Sequence, residues 1–319
     1  MQFGWIIAVY LFLAGAGAGA FITGVWARLR DRDGRLSAVT RAGTLLGAPL
    51  ATLGIAFLVL DLGWVEAGKF EPWRLLYLYT NPSSMITWGT WILTFFIPIS
   101  FLYGLAQTGL DFSGKAFCSS RLAGCLSTIF AFGTAVYTGI LLGVVKAVPL
   151  WNNSVLPILF LVSALSTGLA AALIGATLVD KAVSARLHVF KPVHITLVSS
   201  ELLLIFVLLF ISAKSSQVSG ASVEMLVSGA YSLLFWLGVI VAGLALPLAL
   251  QFFPAAPAAK TVPASGGGEP LAVGKSALTV QEAAYSGKGL IILEGVLVLA
   301  GGFILRYLIL AAGLPVNLF

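Results

Sequence analysis

The stretch MQFGWIIAVYLFLAGAGAGAF, residues 1–21, decides what kind of protein this is. It holds no charged side chain, and its apolar character runs on to about residue 27. A lipid core takes about 20 apolar residues in a helix. No basic segment precedes the run, so it reads as a retained membrane span and not as a cleaved leader. Inside it Gly15, Gly17 and Gly19 alternate with alanines. Small residues at that spacing let helix backbones approach closely. The same closeness can leave a slot for a flat ligand, so Gly15 stands both as a packing residue and as a candidate ligand contact.

Working outward, seven more stretches resemble the first. The eight candidate spans are roughly 3–27, 42–63, 84–108, 121–146, 153–179, 192–213, 225–250 and 288–313. None alternates like a strand. In lipid every backbone polar group must be satisfied within its own segment, which leaves a helical bundle. The composition agrees. Hydrophobic residues are 59% and charged residues 9%, against about 25% charged in an average soluble domain, and the mean hydropathy is +1.03. The expected fold is an all-α integral membrane protein of eight transmembrane helices, arranged as two four-helix bundles in a single membrane domain over 1–319.

Lys and Arg orient it. The connections after spans 1, 3, 5 and 7 carry 13 of them, including Arg28, Arg30, Arg32, Arg35 and Arg41. The opposite connections carry only Lys69, Arg74, Lys146 and Lys214. Positive residues collect on the cytoplasmic side, so both termini are expected to face outward. The connection 251–287 contains Pro254, Pro257, Pro263 and Gly266-Gly267-Gly268 and reads as a flexible cytoplasmic loop.

Several classes of chemistry lack their residues. The net charge of +6 reports topology and not nucleic-acid binding. The two cysteines, Cys118 and Cys125, are spaced for neither a zinc site nor a cluster and read as buried thiols. The two histidines, His188 and His194, flank one short inner loop. A membrane b-type haem takes axial histidines from facing helices, so no haem and no metal are expected in this protein.

An ionisable group inside a span is costly and marks a partner or a function. Asp61 closes span 2 on the outer side. Glu201 sits near the middle of span 6, Glu294 near the inner end of span 8, and Arg306 toward its outer end. Glu294 and Arg306 are about 18 Å apart along one helix and cannot pair. Arg306 lies at a depth where it can meet Asp61 in a structural ion pair. Glu201 and Glu294 read either as steps of a proton route or as static contacts between helices. A second group lies at the outer depth: Tyr10 in span 1, Thr87 and Trp88 at the start of span 3, and Tyr137 in span 4. Tyr137 lies deeper than the headgroup belt where membrane tyrosines usually anchor. Hydroxyls and a carboxylate around a slot suit a quinone, whose carbonyls accept hydrogen bonds and whose reduced form yields protons.

Seven stretches carry a family resemblance: YLFLAGAGAGAF at 10–21, LDLG at 60–63, NPSSMITWGTW at 81–91, YTGILLG at 137–143, VPLWN at 148–152, LPILFLVSALSTG at 156–168 and GGFILRYLILAAG at 301–313. The protein resembles the NrfD/polysulfide reductase membrane-subunit family over nearly its whole length. The resemblance implies a haem-free quinone-binding subunit of a bacterial or archaeal cytoplasmic membrane. It implies menaquinone or ubiquinone as bound substrate and a ferredoxin-like iron–sulfur subunit docked on the outer face, with a molybdopterin or multihaem cytochrome catalytic subunit beyond it. The family's important span 4 tyrosine falls on Tyr137. A span 1 histidine of a polysulfide reductase member falls on Tyr10.

The expected function is electron exchange between quinol and the iron–sulfur partner. Asp61 and Tyr137 are the catalytic candidates. Tyr10, Gly15, Asp61, Thr87, Trp88 and Tyr137 would contact the quinone, and Glu201, Glu294 and Arg306 form a candidate proton path. A secondary transporter or proton channel is the alternative, though no inverted repeat supports it. A passive membrane anchor is a third reading, and the deep Tyr137 and buried carboxylates speak against it.

Overall fold

The computed structural model describes residues 4–31, 33–63, 72–109, 120–180, 187, 189–252 and 273–316; for 61–63, 72–75 and 273–287 it describes the backbone alone. Every extended element among the described residues is helical. In chain order these are α1 (Trp5–Arg30), α2 (Ser37–Gly63), a 3-10 segment (Pro72–Tyr79), α3 (Met85–Gln107), α4 (Arg121–Gly143), α5 (Val155–Val179) and α6 (Lys191–Ser215). They continue with α7 (Gln217–Val227), α8 (Leu234–Leu250) and α9 (Val273–Ala311). Among the described residues, seven helices are long and apolar enough to cross a membrane, and α8 is a shorter apolar helix.

Successive crossings alternate in direction. The first residues of α1 and the last of α9 therefore share one end of the bundle. There the Val316 amide donates to the Ala147 carbonyl at 2.8 Å. We call this the terminal end and the other the arginine end, where an Arg28 guanidinium at the close of α1 donates to Gln107 at the close of α3.

Small residues set how closely the helices pack. A Cβ on Gly19 would lie 1.9 Å from the Ala164 carbonyl oxygen, and one on Gly168 would lie 2.2 Å from the Ala20 nitrogen. The α1–α5 crossing thus exists only because both positions lack a side chain. The alternating glycines of the opening stretch act here as packing residues. Helices α1 to α4 form one group and α6, α8 and α9 pack in a second; α5 contacts members of both and joins them. The expected pair of separate four-helix bundles is therefore a fused pair sharing α5.

Three expectations change in detail. The seventh span, expected at 225–250, is divided. The amides of Ser228 and Gly229 both donate to the Glu224 carbonyl, at 2.9 and 2.8 Å, and close α7. The backbone restarts as α8, whose turns are wide π turns up to Ala245. The Trp236 indole ties the two together by donating to the Val227 carbonyl at 3.0 Å. The second half of the connection expected at 251–287 is helical: α9 runs 39 residues from Val273. Its sequence there, VGKSALTVQEAAYSGK, has no proline and several good helix formers. Cys125 is exposed on α4 and not buried. Cys118 lies outside the described residues.

Candidate functional site: a tyrosine cavity at the terminal end

Helix α1 carries Tyr10 in its second turn, and the antiparallel α4 carries Tyr137 in its second-last turn. Opposite directions bring the two to one depth. Tyr10 is fully buried and Tyr137 nearly so, at 4% exposure. Their hydroxyls face each other, yet the approach falls outside hydrogen-bond geometry, and the Tyr10 oxygen has no partner. A buried hydroxyl without a partner normally costs about 1–3 kcal/mol, and such exceptions call for a ligand or a water.

The space beside that hydroxyl is a cavity of about 300 Å³ between α1, α2, α3 and α4. This is at the lower bound of ordinary small-molecule pockets. Its polar wall is Tyr10, Tyr137, Tyr79, Thr90 and Thr94. Ile55, Leu58 and Val59 of α2 and Leu93 and Ile97 of α3 supply an apolar wall. Thr94 and Pro98 line the cavity yet are also exposed on the outer surface of α3, so this wall faces the bilayer. Pro98 has no N–H to give the Thr94 carbonyl four residues back, which leaves an acceptor at the cavity wall.

The motif NPSSMITWG builds this wall. The Asn81 side chain accepts from the Ser83 amide at 3.1 Å, and its carbonyl accepts from the Ser84 amide at 2.9 Å. This turn starts α3 at Met85. The glycine of the motif seats the tyrosine: a Cβ on Gly89 would fall 1.8 Å from Cζ of Tyr137. The 3-10 segment covers the opening, and Tyr79 holds it there by a 2.8 Å hydrogen bond to Thr94.

The residues singled out from sequence separate into three groups. Tyr10 and Tyr137 meet at the cavity. Thr87, Trp88 and Gly15 do not line it. Thr87 is buried one turn before Thr90. Trp88 is half exposed, and its indole donates to the Pro82 carbonyl at 2.9 Å. A Cβ on Gly15 would sit 3.1 Å from Nη2 of Arg306 and 3.3 Å from Ala164, so Gly15 makes room for the guanidinium. Asp61 lies in the last turn of α2, just past Leu58 and Val59 of the cavity wall; its side chain lies outside the described residues. Sequence reasoning missed Tyr79, Gly89, Thr90 and Thr94. The four-residue spacing of Thr90 and Thr94, which puts both on one face of α3, was the available signal.

A second polar assembly runs along the joint between the two helix groups. Arg306 is fully buried. Its Nη1 donates to Ser163 Oγ and to the Gly302 carbonyl, both at 3.0 Å. The guanidinium carbon also lies 5.3 Å from the Phe160 ring and 5.7 Å from the Phe12 ring. Its partners are thus Ser163, Gly302 and aromatic faces. The expected meeting with Asp61 is not among the interactions of Arg306. Glu201, 3% exposed, faces Ser163 first, and Arg306, His194 and Ser166 surround it. Ser163 therefore touches both charges.

Toward the arginine end, His194 Nδ1 lies 2.9 Å from Glu294 Oε1, and Gln251 hydrogen-bonds both residues. His194, expected beside a loop, is instead 5% exposed in the first turn of α6 and turned inward. Of Glu201 and Glu294, read from sequence either as steps of a proton route or as static contacts, Glu294 pairs with His194, and Glu201 lies two turns further along α6. His188 lies outside the described residues. Among the described residues, no group of three His, Cys, Asp or Glu side chains could hold a metal ion.

These features define a class: a multi-pass helical membrane protein with a lipid-facing cavity edged by tyrosines at one end and a buried polar relay beside it. The family described as polysulphide reductase, NrfD, matches residues 1–262. The C subunit of polysulfide reductase from Wolinella succinogenes is 30% identical over 330 residues, covering 97% of this sequence and 93% of that protein. The NrfD homolog of Haemophilus influenzae is 26% identical over 334 residues, covering 97% and 93%. Protein NrfD of Escherichia coli is 27% identical over 272 residues, covering 77% and 83%. The protein belongs to the NrfD/polysulphide reductase family and is a multi-pass membrane subunit of a respiratory oxidoreductase.

Proposed function

We propose that the protein binds a quinol in the tyrosine cavity and passes its electrons to an iron–sulfur partner docked at the terminal end. The observation that carries this reading is the unpartnered, buried Tyr10 hydroxyl beside Tyr137 at the edge of a lipid-facing cavity. The residues fit the ligand. A quinone carbonyl accepts from a tyrosine O–H, and a quinol hydroxyl donates to tyrosine or to the Thr94 carbonyl. The apolar wall on α2 and α3 suits an isoprenoid tail entering from the bilayer.

In quinol oxidation two electrons would leave one after the other to the partner's iron–sulfur clusters, and both hydroxyl protons must leave by another route. Tyr10 and Tyr137 orient the ring and exclude water. Asp61, whose backbone lies one turn beyond Leu58 on α2, would take a proton toward the terminal end. A route through Glu201, His194 and Glu294 toward the arginine end, with Arg306 setting the charge at its start, would make turnover electrogenic. Reduction of quinone runs the same steps backward. The partner is a ferredoxin-like iron–sulfur subunit, followed by a molybdopterin or multihaem cytochrome catalytic subunit, with the terminal end facing away from the cytoplasm. Menaquinone and ubiquinone share the chemistry that this site reads.

The test is steady-state quinol oxidation by the assembled complex. Tyr137→Phe removes a hydroxyl and keeps the ring on Gly89, and it is expected to lower turnover about 100-fold, within the range of proton-handling groups. Asp61→Asn is expected to lower turnover with the complex still assembled. Unchanged quinol kinetics in both variants overturns the site.

A further inference from the structure

At the arginine end, away from the tyrosine cavity, a cleft of about 860 Å³ opens between the close of α1, the start of α2, the close of α3 and the start of α4. Three arginines line it: Arg28, Arg41 and Arg121. Among the described residues, the carboxylate on the wall, Asp31, is already engaged, its oxygens accepting from the Arg35 and Leu36 amides at 2.9 Å each. Topology alone accounts for arginines at this depth. It does not account for two further groups. Thr40 Oγ1 and Gln107 Nε2 line the same cleft, belong to side chains 5% and 8% exposed, and have no hydrogen-bond partner. Gln107 spends its oxygen on Arg28, which leaves its N–H₂ as donor. Among the described residues the wall is thus rich in donors and cationic, with its carboxylate engaged. Buried donors left open in a cationic cleft call for an anion with several acceptor oxygens.

We propose that this cleft binds a phosphate group. Its place at the ends of four helices, at headgroup depth, makes that phosphate the headgroup of an anionic phospholipid. Basic pockets between transmembrane helices take such headgroups. Leu29 lines the cleft as well and is exposed, offering apolar surface to the glycerol and acyl region. A bound lipid would tie α1, α2, α3 and α4 together at the end opposite the tyrosine cavity.

Native mass spectrometry of the detergent-purified, full-length protein tests this, with phosphatidylglycerol, phosphatidylcholine or inorganic phosphate added in separate arms. The wild type is expected to retain phosphatidylglycerol in preference to phosphatidylcholine. Arg41→Gln with Arg121→Gln is expected to weaken retention roughly 30-fold, from about 1 kcal/mol per arginine. Thr40→Val keeps the shape and removes one open donor, so it is expected to weaken retention about fivefold with no loss of melting temperature. Arg35→Gln, outside the cleft, is expected to change nothing. Displacement of the lipid by millimolar inorganic phosphate supports the phosphate site and makes the free anion its source. Resistance to displacement makes the lipid its source. Equal retention of the two lipids by the wild type, or full retention of phosphatidylglycerol by the arginine double variant, overturns the proposal.

Discussion

The tyrosine cavity and the Arg306–Glu201 cluster lie side by side in one bundle and differ in the space they enclose. The cavity keeps space open and leaves the Tyr10 hydroxyl without a partner. The Arg306 cluster is packed shut: Ser163 bonds Arg306 Nη1 and aromatic rings flank the guanidinium, although Arg306 Nε and Nη2, Ser166 Oγ and Gln251 Oε1 stay without a hydrogen-bond partner. A site that holds a visiting molecule must leave polar groups incomplete until that molecule arrives. A set of charges that stays buried must compensate itself, because lipid offers no water to do so. The difference separates a place where something binds from a place where charge is held or passed on.

The contrast can be broken at several points. Arg306→Met removes the compensating charge and leaves Glu201 buried among the same groups. Removing one side of a buried charge pair costs about 3–5 kcal/mol; here Ser163 stands between the charges, and the lower bound is expected in thermal unfolding of the complex. A stability equal to wild type would show that the relay does not compensate itself. Glu201→Gln keeps the shape and removes the carrier of a proton, so turnover and proton translocation are expected to fall together, about 100-fold. Unchanged proton movement would reduce the relay to a structural contact. Gly89→Ala forces the Tyr137 ring to move, at about 1–3 kcal/mol of overpacking. It is expected to raise the KM for quinol several-fold while Arg306 and its neighbours stay as they are, so melting should change less than quinol binding. Trp88→Phe marks the lower limit. The indole is half exposed and only joins a turn, so the change is expected to stay within about 0.5 kcal/mol and leave quinol kinetics unaltered.

The same contrast explains what sequence reading could reach. Span positions were legible because a run of about 20 apolar residues has few other uses. Tyr137 was legible because it stood deeper than an anchoring tyrosine, and Tyr10 because it lay at the same outer depth in span 1. Gly15 was misplaced because a small residue reads alike whether it faces a ligand or another side chain; the structure turns it to Arg306. Trp88 was misplaced because adjacent residues on a helix point about 100° apart, and Gly89, not Trp88, faces Tyr137. His194 was weighed only as a haem ligand beside an inner loop, because its meeting with Gln251 and Glu294 spans 57 and 100 positions of sequence. The break between α7 and α8 was hidden because a serine–glycine turn inside an apolar stretch barely lowers its hydropathy.

Composition and the runs of apolar residues by themselves determined that this protein crosses a membrane as helices, since lipid tolerates no other backbone in open contact with it. Seven short motifs determined its family. Tertiary structure alone decided which polar groups meet. Helix direction and rotation put Tyr10 against Tyr137 and Arg306 against Ser163, and the small residues at the crossings brought those helices near enough for it to matter. Sequence lists the groups that must be satisfied in a medium without water. Only packing shows which satisfy one another and which stay open for a ligand.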